Sequence, residues 1–282
     1  MRTILVPVDS TATSENAVDF AVEWGKKYGY DHIILLRTSY ESMFDYMAIG
    51  ATYALANEES LNKQQEEAKT LLEHLRRRII EKASAIRVTT EISELPLLRC
   101  TIELTRNNAS VELIVLGSDH KVVSNDSFVS ANIISIARAS PVKVLIVPNI
   151  FDYKPVENIL VPCDVSNIED MERLGRLRSG FERENTRVML LNVDTKEDAV
   201  RTDIKRKKWE EELHRYLPGL QYSVHYAFDM DIINGILSFT SSHKVDLIIA
   251  LPGRHSFLYY LTNRSISEGI YRNVHHAVLI LK

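Results

Sequence analysis

The chain has 282 residues, of which 45% are hydrophobic and 26% are charged, and its formal net charge is −4. These values are typical of a globular protein that is long enough for two domains. The negative charge argues against a nucleic-acid partner. No stretch approaches the length of about eighteen apolar residues that spans a bilayer. Two cysteines in a chain of this size are typical of reduced thiols in a cytoplasm.

The first 149 residues alternate short apolar runs with helical patterns. Ile4–Val8 is a continuous apolar run that ends at a polar turn, as expected for a buried parallel strand. The hydroxyl-rich segment Ser10–Ser14 can cap a helix, and apolar residues then recur at helical spacing as far as Tyr28. Further strands are predicted at His32–Leu36, Arg87–Ile92, Leu113–Leu116 and Lys143–Val147, and helices at Glu58–Ala83, Leu97–Arg106 and Asn132–Ala139.

The same course returns in the second half. The run Thr3–Asp9 recurs 155 positions later as Asn158–Asp164, and Val111–Gly117 recurs 134 positions later as Val245–Leu251. Matched runs in one order indicate a duplicated domain, whose first copy is predicted to carry 21 extra residues between its second strand and the following helix. Elements of the second copy are predicted at Ile159–Cys163, Glu169–Glu182, Val188–Asn192, Ile204–Leu217, Tyr222–Tyr226, Ile232–His243, Leu247–Ala250, Ser265–Tyr271 and Ala277–Leu281.

The extra residues of the first copy are unusually apolar. A free loop of this composition is unfavourable in water, so Met43, Phe44, Tyr46 and Met47 are predicted to pack on their own domain or on the sister copy rather than on an external partner. In the second copy, Phe257–Leu261 is equally apolar and is better suited to protein contact than to holding a triphosphate.

Two local basic runs interrupt the acidic balance of the chain. Arg76–Arg78 and Lys205–Lys208 both lie in helical, acid-rich contexts, and they are interpreted as solvated helix faces.

Strands that alternate with helices predict a parallel sheet covered on both faces, with a ligand crevice beyond the carboxyl ends of the strands. Each copy opens with Ile-Leu-Val-Pro-x-Asp, has a loop and helix after its fourth strand, and closes with a strand such as Val144-Leu-Ile-Val147. In these residues the chain resembles the universal stress protein family, as two fused copies over nearly its whole length.

The resemblance implies an adenine-nucleotide site, which a fraction of that family has. There the acid after the first strand meets the adenine or ribose, and a Gly-x2-Gly-x9-Gly-Ser/Thr loop after the fourth strand holds the phosphates. Glycines let backbone N–H groups approach the anion, and the following helix adds its positive end. The resemblance also implies pairing through the last strand of each domain, here within one chain, with a homodimer as a further alternative.

The first copy keeps part of this pattern. Asp9 lies where the family has its acid, and Gly117 matches the first glycine. His120 takes the place of the second glycine, and Ser130-Ala131 takes the place of Gly-Ser.

The second copy keeps less. Asp164 matches the acid, but Leu251 replaces the first glycine, Arg254 falls near the second, and Arg264-Ser265 replaces Gly-Ser. For both aspartates, ligand contact and bracing of the loop are equal alternatives.

Two interpretations of these loops stay open. Either they are family scaffold whose binding function is lost, or side chains have replaced the backbone donors. The side chains that could bind a phosphate are Ser118, His120, Lys121, Ser127 and Ser130 in the first copy, and Arg254, Arg264 and Ser265 in the second. Since a Cβ atom crowds a site where backbone must touch phosphate, we expect weak binding at best in the first copy and none in the second.

The sequence lacks the motifs of other nucleotide sites and of hydrolases. There is no Gly-x4-Gly-Lys-Ser/Thr, no Gly-x-Gly-x2-Gly and no Gly-x-Ser-x-Gly. His275-His276 has no carboxylate or cysteine at metal-ligand spacing, so no metal is predicted.

The sequence therefore predicts an α/β fold of two tandem doubly wound domains, residues 1–149 and 156–282. Each is expected to hold a five-stranded parallel sheet in the order 3-2-1-4-5 with helices on both faces. The predicted function is that of a cytoplasmic, non-enzymatic stress-response protein that needs no cofactor and acts through contacts with a protein partner. The alternative is a sensor that binds ATP or AMP, chiefly through the first domain.

Overall fold

The computed structural model describes residues 1–38, 54–118, 128–149, 153–165, 175, 186–195, 199–251 and 276–282. The chain divides into two compact units, Met1–Tyr153 (unit 1) and Lys154–Lys282 (unit 2).

Strands and helices alternate along unit 1. They are β1 (Thr3–Pro7), α1 (Ala12–Tyr28), β2 (His32–Thr38), α2 (Ala54–Lys82), β3 (Arg87–Ser93), α3 (Leu97–Asn107), β4 (Val111–Ser118), α4 (Phe128–Ala139) and β5 (Lys143–Pro148). The bounds of α1 follow from local chemistry. The Thr11 side chain accepts a hydrogen bond from the Ser14 N–H at 3.4 Å, and Gly29 ends the helix at a φ of 72° that a glycine adopts without strain.

The sheet of unit 1 has the order β3-β2-β1-β4-β5, and every pair is parallel. This confirms the predicted 3-2-1-4-5 order. Strands β1 and β4 are neighbours although they are not consecutive, so the order of the strands reverses between them. A crevice for ligands is expected where their carboxyl ends meet.

Unit 2 repeats the order of unit 1 as β8-β7-β6-β9-β10, again with parallel pairs. Its described elements are β6 (Asn158–Pro162), β7 (Arg187–Asp194), α5 (Ala199–Tyr216), β8 (Gln221–Phe228), α6 (Ile232–Ser242), β9 (Leu247–Ala250) and β10 (Ala277–Ile280). The predicted helices at 169–182 and 265–271 lie outside the described residues, except that Gly175 is helical.

The surplus of the first copy is divided between a segment and a helix. Residues 39–53 separate β2 from α2, whereas four residues, 195–198, separate β7 from α5. The prediction placed the whole surplus before the helix, which is wrong in part, because α2 has 29 residues against 18 in α5. The residues expected to be buried, Met43, Phe44, Tyr46 and Met47, lie outside the described residues.

Candidate nucleotide site

In unit 1, Asp9 follows β1 at the point where the nucleotide was predicted. Its side chain is 1% exposed. Oδ1 accepts hydrogen bonds from the Thr11 N–H at 3.2 Å, from the Thr11 hydroxyl, and from the Ser14 hydroxyl at 2.7 Å. The Asp9 N–H in turn donates to Ser14 Oγ at 2.9 Å. Asp9 therefore braces the first turn of α1.

The second carboxylate oxygen of Asp9 reaches the helix that would bind phosphate. Val129, the second residue of α4, donates its backbone N–H to Asp9 Oδ2 at 3.3 Å. The first N–H groups of a helix have no partner within the helix and carry partial positive charge, which is why they bind anions. Here one of these donors is taken by a carboxylate of the protein itself.

Gly117 has a packing role that the glycine motif did not reveal. A Cβ atom at this position would lie 2.6 Å from the carbonyl oxygen of Thr13 and 2.8 Å from its Cγ2. Both atoms belong to the first turn of α1, so β4 approaches this helix too closely for any side chain. Close packing of strand and helix is sufficient to require glycine here.

Ser118, the last residue of β4, is 4% exposed and lies beside Pro148 of β5 in the sheet. Its backbone carbonyl accepts a hydrogen bond from the Asn149 N–H at 2.9 Å. The Asn16 side chain of α1 donates to the Pro148 carbonyl at 2.9 Å. These contacts tie the carboxyl ends of β4 and β5 to each other and to α1.

The remaining predicted site residues are incompletely described. Ser130 is the third residue of α4, but its side chain lies outside the described residues, as do His120, Arg264 and Ser265 in full. The structure thus brings Asp9, Gly117 and the start of α4 to one edge of unit 1.

Unit 2 repeats the backbone of this edge without its buried carboxylate. The Cys163 N–H donates to the Leu191 carbonyl at 2.9 Å, as the Val8 N–H donates to the Leu36 carbonyl at 2.8 Å in unit 1. Asp164 is half-buried where Asp9 is buried. Cys163 is also half-buried, whereas the matching Val8 is fully buried.

A polar group that the sequence analysis missed lies at the carboxyl ends of β7 and β8. Arg206 of α5 pairs with Asp194, and its guanidinium carbon lies 4.2 Å from the centre of the Tyr226 ring. The Tyr226 hydroxyl donates to Glu210 Oε1 at 2.5 Å. Burial first, and then this hydrogen bond and the charge of Glu210, raise the pKa of Tyr226 far above its ordinary value, so the phenol stays protonated.

The basic run Lys205–Lys208 was interpreted as a solvated helix face, and the burial of Arg206 shows that this is wrong in part. Lys207 and Lys208 are exposed, but Arg206 is half-buried. The signal was present in the helical spacing, because Arg206 precedes the buried Trp209 by three residues and the buried Leu213 by seven. Arg78 differs from Arg76 and Arg77 in the same way, since it turns inward to bind Asp19.

Among the described residues, no three His, Cys, Asp or Glu side chains converge as a metal site. In the same part of the chain, no helix is long and apolar enough to cross a bilayer.

The fold and this edge define a tandem of doubly wound domains, with the start of a helix and a buried carboxylate meeting beyond the fourth strand of unit 1. The Universal stress protein family is matched over residues 1–148, and the chain belongs to that family. No curated protein sequence matches the chain.

Solved structures share the fold over the whole chain at low sequence identity. A universal stress protein from Archaeoglobus fulgidus DSM 4304 is 17% identical with a TM-score of 0.65, and the alignment covers 99% of this chain and 96% of that one. A putative universal stress protein from Pseudomonas aeruginosa UCBPP-PA14 is 13% identical with a TM-score of 0.55, covering 100% of this chain and 93% of that one. At these identities the likeness shows the fold.

Proposed function

We propose that this universal stress protein acts in the cytoplasm by binding another protein, without catalysing a reaction, and that its nucleotide sites no longer hold ATP. The observation that carries the proposal is the hydrogen bond from the Val129 N–H to Asp9 Oδ2. A phosphate at the start of α4 would have to displace this carboxylate or lie beside its charge. Both are unfavourable for a side chain that is 1% exposed.

The retained Gly117 does not favour the alternative, because its contact with Thr13 accounts for it without a ligand. Nor does Ser118, which is 4% exposed, offer an open donor at the crevice.

Exposed apolar side chains support protein contact. Phe228 at the end of β8 is 54% exposed, and Met230 in the following turn is 82% exposed. Large apolar side chains in such positions are common in surfaces that bind proteins. The predicted pairing of the two copies through their last strands, and a homodimer, stay predictions.

Calorimetric titration of ATP and of AMP into the intact protein tests the proposal, together with chromatography of any nucleotide released from the protein as purified. We expect flat titrations and no co-purifying nucleotide. A micromolar Kd would instead support the alternative, an adenine-nucleotide sensor that acts chiefly through unit 1.

A variant that restores the family pattern in unit 1, H120G/S130G/A131S, is the matched control. It returns glycine where the pattern brings backbone to phosphate. ATP binding by this variant, with none by the wild type, would identify the lost glycines as the cause and would show that the Asp9–Val129 hydrogen bond does not by itself prevent binding.

A further inference from the structure

Two histidines lie against each other at the outer strand of unit 2. His225 is on β8, which pairs with β7 on one side and has no strand partner on the other among the described residues. His243 is the residue that ends α6. The centres of the two imidazole rings are 5.6 Å apart.

A phenylalanine joins the two rings into one cluster. Phe239 of α6 stacks on His243 with ring centres 3.8 Å apart, and it meets His225 edge to face at 5.0 Å. Phe239 is 8% exposed, so this cluster covers it. The cluster is a contact between the C-terminal turn of α6 and the edge strand.

Hydroxyl groups orient both rings. Ser223 Oγ lies 2.8 Å from His225 Nε2, and Ser242 Oγ lies 3.0 Å from His243 Nδ1. His243 Nδ1 also lies 3.1 Å from the Phe239 carbonyl, which is one of the last carbonyls of α6. His243 thus lies at the C-terminal end of α6, which carries partial negative charge.

Protonation of His225 is disfavoured in its place. Among the described residues, the pair contacts Ser223 and, on α6, Phe239 and Ser242, and the apolar Leu191 lies beside His225 on β7. None of these is an acid. Lys244, which follows His243, forms an ion pair with Glu157 at 3.1 Å.

We infer that His225 and His243 form an acid-sensitive contact, which holds the end of α6 on β8 while the imidazoles are neutral and releases it when both are protonated. Release uncovers Phe239, so unit 2 presents an additional apolar surface in acid.

The sign follows from the environment of His225. Burial first, and then the charge of His243, hold the pKa of His225 below its ordinary value. His225 therefore takes up a proton more readily when the contact is broken than when it is formed. The contact is at full strength above the ordinary histidine pKa of about 6.5 and weakens as the pH falls through that value toward the lowered pKa.

Unit 1 lacks the pair. In matched register, the strand position of His225 is taken by Glu91, since Glu91 lies beside Leu36 as His225 lies beside Leu191. The residue that ends α3, the counterpart of α6, is Asn108. The acid-sensitive contact between a helix end and the outer strand is therefore specific to unit 2.

Hydrogen exchange of the full chain at pH 7 and pH 5, corrected for the intrinsic rate of each amide, tests the inference. We expect the exchange of α6 and β8 to rise about threefold or more at pH 5. That factor corresponds to the repulsion between two unit charges at the separation of the rings, screened as in water. The strands β7 and β9 should keep their protection.

Three variants isolate the pair. His225→Gln keeps a hydrogen-bonding side chain beside Ser223 and should abolish the rise, and His243→Gln should reduce it because the like charge is gone. His214→Gln is the control. His214 lies on α5 with its Nδ1 atom 2.9 Å from the Tyr222 hydroxyl, and its replacement should leave the rise unchanged. Equal protection at both pH values in the wild type, a rise that persists in His225→Gln, or a rise shared by β7 and β9 would each overturn the inference.

Discussion

At the carboxyl end of β1, the Asp9 carboxylate holds donors from two separate helices. Thr11 precedes the first turn of α1 and Ser14 lies in that turn, whereas Val129 lies in the first turn of α4. Buried donors that lose their acceptor cost about 1–3 kcal/mol each. Asp9 thus stabilises unit 1 at this edge, whether or not a ligand is bound there.

Replacement of Asp9 by alanine is expected to lower the free energy of unfolding by about 3 kcal/mol, because several buried donors lose one acceptor together. Urea denaturation followed by circular dichroism measures this loss. Asp164→Ala is the matched control, and a loss below about 1 kcal/mol is expected there because water can solvate the half-buried site. Equal losses in the two variants would contradict the bracing role of Asp9.

Gly117 makes a second prediction at the scale of a residue. Gly117→Ala is expected to cost about 2 kcal/mol or more, since a Cβ atom 2.6 Å from the Thr13 carbonyl oxygen forces α1 away from β4. Gly175→Ala is the control, because among the described residues its Cβ would come nearest to the Tyr216 carbonyl oxygen, at 3.6 Å, which is an ordinary contact. Thermal unfolding of the two variants under one condition gives the comparison, and an unchanged Tm for Gly117→Ala would refute the packing role.

At the scale of elements, a buried histidine links three strands of unit 1. His32 begins β2 and is 5% exposed. Its Nδ1 lies 3.1 Å from the Thr3 hydroxyl on β1, and its Nε2 lies 3.0 Å from the Thr89 hydroxyl on β3. Burial first, and then the charge of Arg87, lower the pKa of His32, although Asp31 opposes this shift. The fold holds the imidazole in its neutral form.

A lowered histidine pKa means that unit 1 loses stability as the pH falls below about 6.5, where the unfolded chain binds the proton more readily. His32→Gln is expected to remove this part of the acid loss. The two tryptophans, Trp24 and Trp209, lie one in each unit. Urea titrations between pH 7 and pH 5 in a Trp209→Phe background therefore report on unit 1 through Trp24. The exposed His74 supplies the control, and an acid loss of equal size in His32→Gln and His74→Gln would count against the prediction.

The same elements show how far the sequence could predict the fold. Strand β9 has the predicted bounds, and each end of the other described strands lies within two residues of its predicted position, because continuous apolar runs mark buried parallel strands directly. Helix α4 was predicted from Asn132 but begins at Phe128. The acceptor near its start is Asp9, 120 residues earlier, and rules that search for a capping residue in the local sequence cannot find it.

The site was less predictable than the fold for a related reason. The choice between ligand contact and loop bracing at Asp9 depends on which donors surround the carboxylate, and one of them, Val129, comes from the other end of the unit. The role of Gly117 depends on how closely Thr13 approaches it, since a Cβ atom would lie only 2.6 Å from the Thr13 carbonyl oxygen. Neither quantity is encoded in motif spacing.

At the scale of the whole molecule, the duplicated units keep one strand order and differ at their carboxyl edges. At this edge, unit 1 has the buried Asp9, which binds donors of two helices. Unit 2 instead has Arg206, which lies between Asp194 and Tyr226. The strand order is fixed by buried apolar runs in both units, so the edges could change without changing the sheet.

The contact between Gly117 and Thr13 separates the retention of this glycine from the use of a ligand. In unit 1, a mutation that adds a side chain at this position would disrupt the packing of α1 on β4 whether or not a nucleotide is bound. Gly117 is therefore required for packing, and its presence alone says nothing about ligand use.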